Sequence, residues 1–378
     1  FTNVRSNAIL VAEEKAGGII GLRDAKVATL TNCTYSGTVS ATGNNVGGLI
    51  GLVNGKDHTL TIQNSTFAGK VHTTADQAGG LIGGLGGYSD VVITGCKATG
   101  TVAADNMKAG GFIGTIAVAN KVSISKSSSG ATVTVGDKQA GGFIGYTTKE
   151  TELSQVEFSG KVTGVQQLGG LVGMIYKTDV TAKNANVTGT VSATGNNVGG
   201  MIGLLNGEGR KLTISNSTFA GNVHTTADQA GGLIGGVGGK SDVVITGCKA
   251  AGTVAADKTR AGGFIGTIAV ANKVSISKSL SQTTVTTGDK QSGGFVGYTE
   301  REIAFSQVQF SGKASGLQQI GGLIGAIRKT KVTAEDVLIT GTLHSTRDTE
   351  AESRVGGLFG IIADGKPEVT VTRALITG

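Results

Sequence analysis

Six aspartates stand ahead of paired glycines: Asp76, Asp105 and Asp137, then Asp228, Asp257 and Asp289, each 152 residues further on. Carboxylates stacked on successive turns could hold Ca²⁺, a cation that takes oxygen ligands. They could also share acid and base work in cutting a sugar polymer. Their spacing to the glycines drifts, however, and Lys108 and Lys138 intervene, so solvated loop charges are the expectation. His72, His224 and His344 fall at one outward position of a repeating pattern, but several repeats apart. They cannot meet on one metal at the roughly 2 Å that ligation requires.

Cys33, Cys96 and Cys248 share another position, which Ser65, Ser127, Ser217 and Ser279 fill elsewhere. Stacking in register puts Cys33 and Cys96 two turns apart, about 10 Å, beyond the reach of a disulfide. Small, reduced fillers near a corner are expected. Four sequons, at Asn32, Asn64, Asn186 and Asn216, could carry glycans in a secreted protein. The simpler reading is corner chemistry, because Asn, Ser and Thr bond their own backbone in turns. Asn32, Asn64, Asn184 and Asn216 share one corner column.

Motifs with a defined mechanism are missing. There is no H-E-x-x-H, no G-x-S-x-G and no G-x-x-x-x-G-K-[ST], so the glycines do not cradle a nucleotide. "GGLGGYSD" does not recur at the nine-residue interval of calcium-binding glycine repeats. Basic residues are scattered and only five Tyr occur, which gives no stacking platform for nucleic acid. Thr-x-Thr rows are too irregular for an ice-binding face. The chain has 378 residues, 65 of them Gly, one Pro, and a net charge of +7. Neither collagen nor a disordered polyampholyte fits. No apolar run approaches the roughly 18 residues of a membrane helix. No cofactor and no enzymatic activity are expected.

A repeat must position all these residues. Double glycines start at 17, 47, 79, 110, 141, 169, 199, 231, 262, 293, 321 and 356, at intervals of 28 to 35 residues. A longer period of 152 lies above this one: "TVSATGNNVGG" recurs at 38 and 190, and "HTTADQAGGLIGG" at 72 and 224. Five short units therefore form a block, approximately 17–168, which is duplicated as 169–320, with final units over 321–378.

One unit, 109–139, contains three β-rich runs, "FIGTIAV", "KVSISKS" and "ATVTV", with a period of two. No segment has helical periodicity. One unit buries too little to fold alone, whereas stacked units share a core. The sequence predicts an all-β chain, a single continuous parallel β-solenoid over 1–378. It would have about twelve turns of about 31 residues with three short strands each. At about 4.8 Å per turn, the rod would be about 55–60 Å long. So long a turn favours a right-handed helix. A propeller, with four strands per blade, is the alternative.

Two apolar columns should face inward: Leu30, Ile62, Ile93, Ile124, Leu153, Ile214, Ile245 and Ile276, and nine residues later Val39, Val71, Val102, Val133, Val162, Val191, Val223, Val254 and Val285. The leading glycines (Gly47 and Gly48, Gly79 and Gly80, Gly110 and Gly111) suit a corner with positive φ. The third glycine (Gly51, Gly83, Gly114) suits close backbone packing or an adjoining Leu or Phe laid across it. The pairs Leu49–Ile50, Leu81–Ile82, Phe112–Ile113 and Phe143–Ile144 break simple alternation. Either a bend puts both side chains inside, which the glycines permit, or one ladder faces outward as an apolar stripe for lateral partners.

"VGGLIG", "AGGFIG" and "LGGLVG", recurring through twelve copies, make the chain similar to the GLUG-motif repeat. The repeat occurs in large surface-exposed and secreted proteins, including bacterial adhesins and the non-catalytic part of some IgA-cleaving metallopeptidases. The resemblance implies an extracellular or cell-surface location and a structural or adhesive role, and it transfers no catalytic residue. Phe1 aligns one residue after the Ile62 column and Gly378 aligns with Gly69, both within a turn, so an excerpt of a longer array is expected. The 343–355 connection, "LHSTRDTEAESRV", is the candidate protruding loop.

The leading expectation is a stiff spacer or filament body. Its partners would be neighbouring turns, other chains of the same protein along the Leu/Ile ladder, or surface glycans. A glycan-binding or polysaccharide-degrading β-helix is the alternative; it needs a face with convergent acids, bases or aromatics.

Overall fold

The computed structural model describes residues 1–347, 353–363 and 365–377. Residues 348–352 of the candidate loop, and Gly378, lie outside the described residues. The chain is all-β, with parallel strands stacked as a β-solenoid of about 11 turns of ~31 residues. It forms two compact units, Phe1–Thr190 and Val191–Gly378. No helix among the described residues is long and apolar enough to cross a membrane.

The turn that starts at Val46 shows how the sequence builds each unit. Val46–Gly47 and Ile50–Val53 are short strands separated by a bend, His58–Gln63 and Thr66–Phe67 form a longer strand with a corner, and Lys70–Thr73 closes the turn. Three of these correspond to the expected runs. The two-residue strand through the double glycine is additional. It pairs in parallel with its neighbours, Gly79 with Gly47 and Gly110 with Gly79.

Register is kept without slippage along both apolar columns. In the first unit Leu30, Ile62, Ile93, Ile124 and Leu153 pair in succession, as do Val39, Val71, Val102, Val133 and Val162. In the second, Ile214, Ile245 and Ile276 do the same, as do Val223, Val254 and Val285. All are buried. Apolar burial at about 25 cal/mol per Å² supplies the driving force, and stacking like on like fixes the register. Phe1 sits one residue earlier than expected: Thr2 bridges Thr31, which places Phe1 level with Leu30.

The Leu–Ile pairs are resolved in favour of the bend. Leu49, Ile50, Leu81, Ile82, Phe112, Ile113, Phe143 and Ile144 are all fully buried. The cause lies in the backbone. The N–H groups of Leu49 and Ile50 both donate to the carbonyl of Leu81, at 3.1 and 2.8 Å, and those of Leu81 and Ile82 to Phe112, at 2.9 and 2.8 Å. Two successive donors on one acceptor are the mark of a bulge, which places consecutive side chains on one side. The alternative, an outward stripe, is therefore not formed by these pairs. Exposed large apolar groups lie chiefly in the first and last turns, with Tyr88 and Val92 the exceptions among the described residues.

Candidate functional site

The glycine motif is a structural site, and its chemistry is close approach. A Cβ on Gly47 would stand 1.9 Å from the Ile50 carbonyl oxygen and 2.7 Å from the Gly83 nitrogen. On Gly51 it would meet the Gly21 oxygen at 2.5 Å, on Gly83 the Val46 nitrogen at 2.4 Å, and on Gly114 the Gly83 oxygen at 2.5 Å. First and third glycines of adjacent turns thus interlock, backbone against backbone. Gly79 and Gly110 repeat the arrangement, with the carbonyl oxygens of Ile82 and Ile113 at 1.8 and 2.0 Å.

The second glycine receives a ring. A Cβ on Gly48 would lie 2.2 Å from Cδ2 of Phe67, and the same ring comes within 2.8 Å of that position at Gly80. At Gly111 the nearest side-chain atom to that position is the Ser129 Oγ, at 2.6 Å. Of the two readings of the third glycine, close backbone packing is the one found at Gly51, Gly83 and Gly114. The ring lies on the second, because the third is already closed by backbone.

The glycine pair does not supply the positive φ expected of it. That conformation belongs to the residue two places earlier: Asn45 at 64°, Gln77 at 64°, Lys108 at 65°, Gln139 at 73° and Arg260 at 66°. Residues with a Cβ resist this region, so the corner is held by its surroundings. A second left-handed column runs through Asn32 (54°), Asn64 (50°), Gly95 (64°), Lys126 (47°) and Asn216 (48°). Asn32 donates from Nδ2 to the Oδ1 of Asn3 at 3.1 Å, a side-chain bond between neighbouring turns at this corner. The sequon residues Asn32, Asn64, Asn186 and Asn216 are all exposed.

Cys33, Cys96 and Cys248 are buried free thiols. They are more than fillers. The N–H of Cys33 donates to Ser65 Oγ at 3.0 Å, that of Ser65 to Cys96 Sγ at 3.4 Å, and that of Cys96 to Ser127 Oγ at 3.1 Å. Ser65, Cys96 and Ser127 in turn donate to the carbonyls of Gln63, Thr94 and Ser125. Hydroxyls and thiols are interchangeable here because each both accepts and donates. Burial pushes the Cys96 and Cys248 thiols up to about 11, against the lowering effect of their backbone hydrogen bonds.

The acidic residues do not converge. Asp105 Oδ1 lies 3.0 Å from His72 Nε2, and Asp257 Oδ1 lies 2.9 Å from His224 Nε2. Asp76 takes the N–H of Met107, Asp228 the hydroxyl of Thr259, and Asp137 and Asp289 lie beside Lys138 and Lys290. No group of three metal-ligating side chains occurs among the described residues. His344 stands in the His224 column, four turns away.

Cations do converge, contrary to the scatter seen in sequence. In the second unit a groove of about 330 Å³ is lined by Arg260, Lys290, Gln291, Tyr298, Gln319 and Arg328, among others. Arg260 donates from Nε to Gln291 Oε1 at 3.0 Å, and its guanidinium lies 4.6 Å from the centre of the Tyr298 ring. The Tyr298 hydroxyl donates to Glu300. Burial raises the Tyr298 phenol, Glu300 raises it further, and Arg328 and Arg260 oppose both. Left-handed corners and the strand after the glycines bring these groups together from three turns.

The first unit carries the same positions filled differently. Lys108 lies 5.3 Å from the Tyr146 ring centre, and Gln139 donates from Nε2 to Gln167 Oε1 at 3.2 Å and to Met174 Sδ at 3.1 Å. Tyr176 stacks with Tyr146 at 6.5 Å. Positions 174 and 176 correspond to 326 and 328 by the 152-residue period, so Met and Tyr give way to Ala326 and Arg328. That comparison of blocks is the sequence signal for the groove. No family model matches the chain, and no curated protein or solved structure matches it.

Proposed function

We propose that this chain is a stiff structural and adhesive segment of a large secreted or cell-surface protein, holding other parts of that protein at a distance from a surface. The observation that carries this reading is the glycine interlock, in which the first glycine of one turn meets the third of the next with no room for a methyl group. Turns joined this closely resist bending and protease entry, because local opening must break several backbone contacts together. The GLUG-like pattern supports a location outside the cell. Free thiols do not oppose it, since stacking rather than crosslinking holds the turns together.

Electron microscopy of the native material, labelled with an antibody against this chain, tests the reading. Label between the surface and more distal density is expected. Label confined to the cell interior, or turnover of a polysaccharide by the purified chain, would overturn it.

A further inference from the structure

The second-unit groove has a composition that spacing alone does not require. We propose that it is a binding site for an acidic sugar, a pyranose bearing one carboxylate. The inference rests on the adhesive half of the reading above and names its ligand class.

Charge comes first. Arg260, Lys290 and Arg328 line the groove, while Glu300 holds the Tyr298 hydroxyl and Asp289 lies 3.8 Å from Lys290. Three cations against two carboxylates leave one net positive charge. This matches a monoanion better than a phosphate dianion. Guanidinium groups offer the planar fork that a carboxylate fits. Arg260 is already oriented by Gln291 and the Tyr298 ring, so little ordering remains to be done on binding.

Polar and apolar walls follow. The carboxamides of Gln291 and Gln319 supply donors and acceptors suited to ring hydroxyls. Ala326 and Ile361 give the groove apolar surface for the C–H face of a sugar ring. The volume of about 330 Å³ falls within the range of small-molecule sites.

The first unit serves as the comparison within the same chain. It keeps Lys108, Lys138, Gln139 and Tyr146, but Met174 takes up the Gln139 amide and Tyr176 stands where the second unit has Arg328. The duplication thus fills the same positions differently in its two copies, and one site per chain is expected.

Calorimetric titration of the full chain tests this with the methyl glycoside of galacturonic acid, the methyl ester of that glycoside, sialyllactose and inorganic phosphate. At least one of the two acids should bind with one site per chain. The ester and phosphate should bind at least tenfold more weakly. A326M/R328Y copies the residues of the first unit, so it should keep the parent's unfolding midpoint and lose at least tenfold in affinity. R328Y alone should fall between them. Binding of neither acid, equal binding of acid and ester, phosphate matching the acids, or unimpaired binding by A326M/R328Y would each overturn the inference. A chain that binds neither acid still keeps the spacer role, which mechanical extension measures separately.

Discussion

Gly47 and Ile50 approach so closely that a Cβ on the glycine would lie 1.9 Å from the isoleucine carbonyl oxygen. The motif is therefore selected for the absence of a side chain, while the left-handed corner two residues earlier is left to Asn45. Gly47→Ala should raise the rate of local opening in its turn, with a loss on the order of 3 kcal/mol or more. Asn45→Gly should stay within about 1 kcal/mol of the parent. Hydrogen exchange resolved to single turns checks both. Equal effects of the two changes would contradict this division of roles.

Phe67 lies against the second glycines Gly48 and Gly80. Phe67→Ala should destabilise the first unit by about 3–5 kcal/mol in denaturant titration. The Gly80 carbonyl oxygen also stands 2.2 Å from a Cβ placed on Gly48. Removing the ring should therefore not rescue Gly48→Ala. Recovery of stability in the double variant would show that the ring, not the backbone, demands the glycine.

The exposed Asn corner offers a test of backbone strain. Asn64 has φ of 50°, and Gly95 occupies the same column in the next turn. Asn64→Gly should be nearly neutral, whereas Asn64→Val should destabilise by about 1–2 kcal/mol. Thermal unfolding of the two variants distinguishes them, and a Val variant as stable as the parent would contradict the account.

Burial holds the Cys96 and Cys248 thiols at about 11, above the ordinary value of 9.0. A folded-state value above the unfolded one favours folding while the thiol stays protonated. The contribution is complete below about pH 9 and is lost as pH rises to about 11, amounting to about 3 kcal/mol per thiol at most. Cys96→Ser and Cys248→Ser, which keep the donor and acceptor of the ladder, should reduce this alkaline loss. Unfolding midpoints across that range provide the check. Rapid alkylation of the folded protein at pH 8 would contradict the buried, protonated state.

Much of this architecture was legible in sequence because β-solenoids write their register into repeats. The Ile62 and Val71 columns, the shared column of Cys33 and Cys96, and the Asn32 corner all follow from counting. The bend at Leu49–Ile50 was open because alternation alone cannot locate a bulge; the bifurcated Leu81 carbonyl decides it. The role of the glycine pair was misassigned because composition does not distinguish a need for positive φ from a need for space. The groove was hidden for a different reason. Arg260, Tyr298 and Arg328 belong to three turns, and only their stacking makes neighbours of residues more than one repeat apart.

The central claim is that interlocked turns make this chain a stiff spacer, and single-molecule extension of the full chain by its two ends tests it most directly. The account predicts resistance followed by abrupt steps. A turn of about 31 residues at about 3.4 Å each should release about 100 Å. Smooth lengthening at low force, without steps of that size, would contradict it.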